Sequence, residues 1–482
     1  MIIFDQLGGP MENSQNSLDA RSQVAQLIQQ AGEAQKQLET YDQAAVDELV
    51  TAAAWALVNP ANNQKLSELA VAETGLGNVA DKITKNHRKT LGLLRDLKDA
   101  KTVGVIKRDP QLGIVEIARP VGIVGAIVPS TNPVATPMNM ILNALKCRNA
   151  IILSPSPKGQ PSCTRLIELI YLELDRIGAP RNLVQTLPTP VSKELSMEML
   201  KQVDLVVVTG SQNNVKAAYT CGTPAFGVGA GNVTSLIDET ADLPTAAAKI
   251  KASKTFDNAT SCSSENSLVI VNAIYSDMLK ALEAVNACLL TPKETSNLQS
   301  VLWHNGHLNA AMLAKPVGVM CELAGITRKA ACNADFLMVE ETGTGADFPF
   351  SGEKMALVLT LYRAQDFNHA KQVASDILNY QGKGHSLSLH SQSPDRAEIL
   401  GLEMPVCRVI VNQAHCFATG GSFDNGLPFS LSMGCGTWGG NVTDQNVHYR
   451  HFMNVTKVVQ TIPAREVSVE DMFADYKRRY LS

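Results

Sequence analysis

The chain has 482 residues, which is too long for one hydrophobic core, so two or more domains are expected. Apolar residues make up 45% and charged residues 18%, and the formal net charge of -4 gives no reason to expect a nucleic-acid or membrane partner. The ten cysteines include no CxxC pair and no zinc-site spacing with histidine, so reduced thiols and no bound metal are expected. Residues 1–10 lack the basic segment of a secretory signal, which makes the cytoplasm the default location.

The amino-terminal part of the chain has the spacing of amphipathic helices. One apolar stripe runs from Val24 to Ala31 and a second from Val46 to Leu57, each with the period of a helix face. Asn59-Pro60 predicts the end of the second helix, because the residue before a proline is pushed out of the helical conformation.

Short apolar runs bounded by turn residues follow. In the first half they lie at Val121–Val128, Ala150–Leu153, Leu183–Gln185 and Asp204–Val208. In the second half they lie at Thr234–Ile237, Ser267–Val271, Phe336–Val339, Leu357–Leu361, Ser386–His390 and Arg408–Val411. Helical stripes separate several of these runs. Strands that alternate with helices predict parallel βαβ units, so both halves are predicted to be α/β.

One segment breaks this alternation. Val103–Lys107 and Gly113–Ala118 have the pattern of two extended arms turned at Asp109-Pro110, which predicts a projecting hairpin. A later run, Val455–Ile462, is predicted to be a strand that pairs with a partner's sheet.

One cysteine has surroundings that suit chemistry. Cys262 follows Phe256-Asp-Asn-Ala-Thr-Ser and precedes Ser-Ser-Glu-Asn, directly before a predicted strand. Small polar neighbours leave room for a substrate, and nearby hydroxyl and backbone N–H groups stabilise a thiolate, the reactive form. The alternative is that Cys262 is a small packing residue, as most free cysteines are.

Three further segments carry candidate site residues. Asn132, between Pro129 and Pro133, either offers an amide to a developing oxyanion or is a turn residue beside proline. Thr209-Gly210-Ser211 joins a predicted strand to a predicted helix, a junction whose backbone N–H groups suit a cofactor phosphate. Gly227-Val-Gly229-Ala-Gly231-Asn232 lacks the full spacing of a dinucleotide fingerprint, so its glycines are interpreted as places of close backbone approach.

Taken in chain order, these segments resemble those of the aldehyde dehydrogenase superfamily, and most of all its CoA-acylating branch. The resemblance runs from about Tyr41 to the C-terminal strand. It is carried by Phe256-Asp-Asn…Cys262, Gly227-Val-Gly-Ala-Gly-Asn, Ser351-Gly-Glu353-Lys354 and Gly434-Cys-Gly-Thr-Trp-Gly-Gly-Asn441.

The fold that this resemblance implies is α/β, with two doubly wound domains and a small β-hairpin oligomerisation element. The implied boundaries are 1–101 with 119–230 for a nicotinamide cofactor-binding domain, 231–432 for a catalytic thiol domain, and 102–118 with 445–465 for the hairpin and C-terminal strand. The implied assembly is a homodimer or homotetramer.

The resemblance also implies a role for each matching residue. Cys262 matches the nucleophile that forms an acyl thioester, and the Asn132 amide, with the backbone N–H of Cys262, matches the oxyanion site. Thr209–Ser211 matches the loop at the cofactor pyrophosphate, and Glu353 matches the residue that holds the nicotinamide ribose. The remaining implied cofactor residues are Pro129, Ser154, Ser156, Lys158 and Gly229.

Two departures from the family pattern bear on the reaction. Gly227 stands where hydrolytic members carry a general-base glutamate, so water is poorly activated and the thiol of coenzyme A is the expected acyl acceptor. Ser154 and Pro157 stand where many members carry a lysine and a glutamate for the adenosine ribose. Without that carboxylate a 2′-phosphate is not repelled, and Lys158 is near, so NADP is favoured over NAD. The alternative is that Lys158 is only solvated.

The substrate is indicated by two segments. Residues 412–426 and 259–264 resemble the corresponding segments of sulfoacetaldehyde dehydrogenases (acylating), so a small aldehyde with a sulfonate group is expected. Neutral or positive donors would bind that group, and the candidates are Thr260, Ser261, Ser263, His415 and Arg450. Their alternatives are that the serines cap turns, His415 packs in its loop and Arg450 lies in an interface.

The function expected from the sequence is the oxidation of a small aldehyde to its acyl-CoA with NADP or NAD. Two other acylating substrates, acetaldehyde and succinate semialdehyde, stay open, and so does hydrolysis to the free acid. A structural role as a filament module or microcompartment cargo has the helix around Val24 as its only support. A helix that faces the core explains that stripe more simply.

Overall fold

The computed structural model describes residues 11–481, which begin with four helices. These are α1 (Met11–Leu38), α2 (Gln43–Val58), α3 (Pro60–Thr74) and α4 (Val79–Leu97). Asn59 ends α2 and caps α3, whose first residue is Pro60, so the predicted helix end is confirmed. Val24 and Ala31 are fully buried, because α1 packs across the first sheet described below.

A three-stranded antiparallel sheet projects from the chain. Its hairpin consists of β1 (Gly104–Asp109) and β2 (Ile114–Pro120), as predicted. The strand Met453–Val459 pairs with β2 along its length, from Met453 beside Pro120 to Val459 beside Ile114. This strand, β17, is an edge strand among the described residues in the order β1-β2-β17, so its pairing with a partner's sheet stays a prediction. The chain returns along its own hairpin, which takes up one edge of the strand.

The first large sheet has five parallel strands in the order β5-β4-β3-β6-β7. They are β3 (Ile123–Val128), β4 (Ala150–Pro155), β5 (Val184–Thr186), β6 (Leu205–Thr209) and β7 (Ala225–Val228). The helices between them are α5 (Ala135–Lys146), α6 (Gln160–Arg176), α7 (Lys193–Gln202) and α8 (Gln212–Thr220). Helices cover both faces, so β3 and β4 are buried along their whole length. The strand order reverses beside β3, and such a switch point opens a crevice at the carboxyl ends of the strands.

The second large sheet has seven parallel strands in the order β10-β13-β14-β9-β8-β15-β16. Its strands are β8 (Val233–Ile237), β9 (Glu265–Val271), β10 (Ala287–Leu289), β13 (Phe336–Glu340), β14 (Val358–Ala364), β15 (Leu387–His390) and β16 (Val409–Val411). A separate two-stranded ribbon consists of β11 (Trp303–His304) and β12 (His307–Leu308). The helices are α9 (Leu243–Thr255), α10 (Tyr275–Ala284), α11 (Pro292–Leu302), α12 (Val317–Leu323), α13 (Lys329–Cys332), α14 (Phe367–Tyr380), α15 (Arg396–Glu403) and α16 (His415–Ala418).

The prediction of two α/β sheets is confirmed, and every predicted strand is present with ends shifted by a few residues at most. The first sheet ends at Val228 and the second begins at Val233, on either side of the predicted boundary at 230–231. The domain boundaries themselves stay a prediction. The sequence patterns missed β7 and β10, which are short and are not apolar runs with clear ends.

The C-terminal part consists of β17 (Met453–Val459) and α17 (Val469–Tyr480), and both are largely exposed. Among residues 11–481, no helix is both long enough and apolar enough to cross a membrane. The predicted absence of a secretory signal concerns residues 1–10, which lie outside the described residues.

Candidate active site

A cavity of about 1100 Å³ lies at the carboxyl ends of β3 and β6 and extends to the loop before β9. It contains most of the site residues predicted from the sequence. Those that line it are Pro129, Asn132, Ser154, Ser156, Thr209, Gly210, Ser211, Gly229, Thr260, Ser261, Cys262 and Glu353. The proposed nucleophile, oxyanion amide and cofactor residues thus face one space.

The loop that carries Cys262 has an unusual backbone. After α9, the consecutive residues Asp257, Asn258 and Ala259 have φ values of 50°, 51° and 62°. Left-handed backbone costs L-residues roughly 1–2 kcal/mol each, with less strain at Asp and Asn. The Asn258 side chain donates to the Ala314 carbonyl at 3.1 Å, and the Asp257 N–H donates to Asp81 at 2.7 Å. These contacts hold the strained turn that points the following residues into the cavity.

The Asp257 carboxylate anchors the loop to α4. Its Oδ2 accepts from Lys85 Nζ at 2.5 Å and from Lys82 Nζ at 3.0 Å, and its Oδ1 accepts from the Asn78 N–H at 3.0 Å. Burial opposes ionisation of Asp257, but the charges of Lys85 and Lys82 outweigh it and hold the pKa below its ordinary value. The anchor is therefore a charged carboxylate between two ammonium groups.

Asn132 lies in the loop between β3 and α5. Its Oδ1 accepts from Lys85 Nζ at 2.8 Å, and its carbonyl accepts from the Thr136 N–H at the start of α5. Among residues 11–481, the Nδ2 group has only a long contact, at 3.5 Å, to Thr131 Oγ1. The amide hydrogens therefore remain for a group bound in the cavity.

His385 is a site residue that the sequence analysis missed. Its Nε2 lies 3.5 Å from Cys262 Sγ, and its Nδ1 lies 2.6 Å from Ser386 Oγ. Cys262 precedes β9 and His385 precedes β15, and both strands are parallel neighbours of β8. The amino ends of parallel strands meet at one edge of a sheet, so the position of His385 before its strand was the signal available.

The thiol and the imidazole are both neutral in this arrangement. Burial, followed by the nearby carboxylate of Glu353, raises the pKa of Cys262 to about 12. Burial, followed by the charge of Arg408, lowers the pKa of His385 to about 3. A neutral Cys262 thiol and a neutral His385 ring are thus the resting partners.

The other end of the cavity is lined by hydroxyl groups and helix N-termini. Ser211 caps α8, and Ser192 caps α7, so both helices present free N–H groups to this end. Ser154 Oγ lies 2.9 Å from Ser196 Oγ. Lys193 and Lys216, both exposed, line this part of the cavity and were not identified from the sequence.

Glu353 is the single carboxylate among the described residues that line the cavity. Its N–H donates to Gln381 Oε1 at 3.0 Å, which fixes the backbone of the segment before β14. Burial raises the pKa of Glu353 to about 7, although Lys354 and Lys254 act in the opposite direction. An oxygen acceptor is therefore available for a ribose hydroxyl.

Four predicted residues are not brought into the cavity: Lys158, Ser263, His415 and Arg450. Lys158 is exposed to solvent. His415 is fully buried, with Nδ1 2.9 Å from the Ser263 carbonyl, because it packs behind the Cys262 loop. Arg450 is exposed and donates to Tyr449. The structure thus places His415 as a packed loop residue, one of the alternatives considered above.

Two glycines flank the cavity-lining residues 228–230 and lie in tight surroundings. A Cβ atom at Gly231 would lie 2.1 Å from the Cys262 carbonyl oxygen, so only glycine permits this backbone approach. A Cβ atom at Gly227 would meet Val215 at 2.9 Å and Tyr219 at 3.1 Å. A glutamate at position 227 would therefore crowd these two side chains of α8.

Known proteins match this chain over nearly its whole length. The model of the aldehyde dehydrogenase family matches residues 14–296. The chain is 57% identical over 470 residues to the sulfoacetaldehyde dehydrogenase (acylating) of Cupriavidus necator, covering 98% of this chain and 95% of that protein. It is 39% identical over 462 residues to the protein of the same name from Bilophila wadsworthia, covering 95% of this chain and 99% of that protein.

The fold agrees with these relatives. An acetylating aldehyde dehydrogenase from Geobacillus thermoglucosidasius matches with a TM-score of 0.89 and 35% identity, covering 94% of this chain and 99% of that one. The chain belongs to the aldehyde dehydrogenase family. It is an NAD(P)-dependent aldehyde oxidoreductase of the acylating branch, and the resemblance seen in the sequence is confirmed.

Proposed function

We propose that the protein oxidises sulfoacetaldehyde to its acyl-CoA with NADP, through a thioester on Cys262. The observation that carries this proposal is the composition of the cavity. Cys262, Asn132 and Glu353 face one space, and the described lining offers no second carboxylate to activate water. The identity of 57% to an acylating sulfoacetaldehyde dehydrogenase supports the choice of substrate.

The first step is the attack of Cys262 Sγ on the aldehyde carbon. The electron pair of the S–H bond forms the new S–C bond, and the proton passes through His385 Nε2, 3.5 Å from Sγ, to solvent, because a ring with so low a pKa does not retain it. The carbonyl electron pair moves to the oxygen, which receives hydrogen bonds from Asn132 Nδ2 and the Cys262 N–H. When the C=O bond forms again and the carbon loses hydride, the product on Cys262 is a thioester.

The cavity fits a nicotinamide dinucleotide, which supplies the hydride acceptor when bound. Its volume of about 1100 Å³ exceeds that of a usual small-molecule pocket, ~300–1,000 Å³. The N-terminus of α8 at Ser211 suits the pyrophosphate, and Glu353 suits a ribose hydroxyl. The residues present therefore match what such a cofactor needs.

The preference for NADP rests on charge. Ser154, Ser156 and Ser196 supply hydroxyl groups near the N-terminus of α7, and Lys193 is the first residue of that helix. The carboxylate of Glu353 belongs to the opposite, thiol-bearing end. A 2′-phosphate would thus meet the positive charge of Lys193 and hydrogen-bond donors, and the nearby Glu194 does not line the cavity.

The acyl acceptor is coenzyme A. Hydrolysis of a thioester needs a base near the bound water, and position 227 holds a glycine whose Cα is packed against α8. A thiol needs less activation, because its anion is a strong nucleophile near neutral pH. Once the proton of Cys262 has passed to solvent, the His385 ring is neutral again and can relay the proton of the incoming thiol in the same way.

Positive charge on α4 supports an anionic aldehyde as the substrate. Lys89 donates to the carbonyls of Gly420 and Gly421, at 2.8 and 3.4 Å, and Arg88 donates to Ser422 at 2.6 Å. No salt bridge to either side chain is present among residues 11–481. Gly420 separates Lys89 from Met433, which lines the cavity. A sulfonate bound beyond Cys262 would be attracted by Lys89 when that side chain is charged, whereas Arg88 already faces the carboxylate of Asp424.

The experiment is an assay of cofactor reduction with sulfoacetaldehyde, acetaldehyde and succinate semialdehyde, each with and without CoA and with NADP or NAD. We expect CoA-dependent activity that is highest with sulfoacetaldehyde and NADP. Cys262→Ala should lose essentially all of it, a loss of at least ~10³-fold as for removal of a catalytic nucleophile. A preference for acetaldehyde would contradict the substrate, and full activity without CoA would contradict the acyl acceptor.

We also propose that the protein forms a homodimer or homotetramer in the cytoplasm. The sheet of β1, β2 and β17 projects with exposed side chains, among them Val105, Val455 and Val458. An exposed strand edge and apolar side chains favour pairing with another subunit. Light scattering of the purified protein tests the oligomeric state, and a monomer would contradict it.

A further inference from the structure

The feature that carries a further inference is a pair of buried lysines on α4, beside the nucleophile loop. Lys82 and Lys85 lie on one face of the helix, and both donate to the same oxygen of Asp257. Their second contacts differ. Lys82 donates to the backbone carbonyl of Thr131 at 3.2 Å, whereas Lys85 donates to the side-chain Oδ1 of Asn132 at 2.8 Å.

We propose that Lys85 is a positioning residue for the reaction, because its ammonium group fixes and polarises the Asn132 amide so that Nδ2 faces the developing oxyanion. This inference rests on the proposed role of Asn132. It concerns a residue that touches neither the aldehyde nor the cofactor and acts only through that amide.

The chemistry of the two groups determines the orientation of the amide. An ammonium group has three donors and no acceptor, so the atom that faces Lys85 must be the amide oxygen. If the amide were reversed, two sets of N–H donors would face each other within 2.8 Å. The oxygen is therefore turned toward α4, and Nδ2 is turned away from it toward the cavity.

The position of Lys85 itself is fully determined. Its three acceptors are Asp257 Oδ2 at 2.5 Å, Asn132 Oδ1 at 2.8 Å and Thr260 Oγ1 at 3.2 Å. Thr260 in turn donates to Asp257 Oδ2 at 2.7 Å. Lys85 is 5% exposed, so water does not compete for the contacts of its ammonium group. One cation therefore connects the nucleophile loop, through Asp257 and Thr260, to the oxyanion amide.

The charge has a second effect. An amide whose oxygen accepts from a cation is polarised, and its N–H groups become better donors. The oxyanion gains more from such donors than the uncharged aldehyde does, so the contact stabilises the transition state more than the bound substrate. We therefore expect the loss of Lys85 to lower kcat with a much smaller change in KM.

The test is a double-mutant cycle between Lys85→Met and Asn132→Ala, with Lys82→Met as the matched control. Removal of an oxyanion donor lowers kcat by about 10²–10³-fold, and we expect Lys85→Met alone to lower it by at least about tenfold. In the Asn132→Ala background, Lys85→Met should change kcat by no more than about twofold, because the group through which it acts is gone. Lys82→Met should have the same effect in both backgrounds.

Equal effects of Lys85→Met in both backgrounds would overturn the proposal, since Lys85 would then act only through Asp257 and the loop. If Lys85→Met does not fold, Lys85→Arg, which retains a cation for Asp257, is carried through the same cycle with the same two outcomes. Full activity of Asn132→Ala would instead refute the proposed role of Asn132. The two failures are therefore distinguishable.

Discussion

The cofactor end of the cavity and the thiol end are built from different kinds of contact. The cofactor end consists of strand ends and helix N-termini, with residues such as Thr209 and Ser211 close together in the chain. The thiol end is held by buried charges from distant segments. Lys85 and Asp257 are separated by 172 positions, and Cys262 and His385 by 123. Binding thus depends on local motifs, while the reactivity of the thiol depends on tertiary structure.

The largest difference between the two ends is expected on replacement of His385. General bases contribute about 10²–10⁴-fold, so His385→Ala should lower kcat by at least ~10²-fold and leave the affinity for NADP unchanged. His390→Ala is a matched control, because His390 is also buried and lies at the other end of β15. It should change kcat by only a few-fold. Steady-state kinetics and cofactor titration test both variants, and equal losses would show that His385 is only structural.

A second prediction concerns Lys89. Burial, with the charges of Arg88 and Lys85, lowers the pKa of Lys89 to about 7, so the group is charged below that pH and loses its charge above it. KM for sulfoacetaldehyde should therefore rise between about pH 7 and 9, while KM for acetaldehyde should not. In Lys89→Met, KM for sulfoacetaldehyde should be raised about tenfold and be independent of pH in this range. Equal changes for both aldehydes would contradict a role in binding the anion.

The smallest expected effect is at the cofactor end. Lys193 is exposed, so its interaction with a 2′-phosphate is screened by solvent and worth about 1 kcal/mol. Lys193→Ala should raise KM for NADP by about fivefold and leave KM for NAD unchanged. Lys158→Ala is the control, since Lys158 does not line the cavity. If Lys158→Ala raises KM for NADP more than Lys193→Ala does, the sequence-based choice of Lys158 is correct and the assignment of Lys193 is wrong.

Much of the fold follows from the sequence because its signals are local. Apolar runs and helical stripes predicted the parallel strands, and Asn59-Pro60 predicted a helix boundary. The junction at Thr209–Ser211 was predictable for the same reason, and its role at the cofactor stays a prediction. The Lys85 contacts were not, since three residues with ordinary surroundings in the chain become a site only when α4 packs against the Cys262 loop.

The choice between Lys158 and Lys193 shows the same limit. Lys158 directly follows Pro157 in the chain, so sequence reasoning selected it; it is exposed outside the lining of the cavity, and its role stays a prediction. Lys193 reaches the cavity because the connection after β5 returns α7 to the ends of the strands. His415 was selected within a loop that resembles its relatives; its ring is buried beside the Ser263 carbonyl, and its role in substrate binding stays a prediction.

The most direct test of the account is a single-turnover experiment without CoA. The enzyme is mixed with sulfoacetaldehyde and NADP, cofactor reduction is followed, and intact-protein and peptide mass spectrometry are used to find the acyl group. We predict one reduced cofactor per active site, an acyl adduct on Cys262, and release of that adduct as acyl-CoA when CoA is added. Continued turnover without CoA, with free acid as the product and no adduct on Cys262, would contradict the central claim.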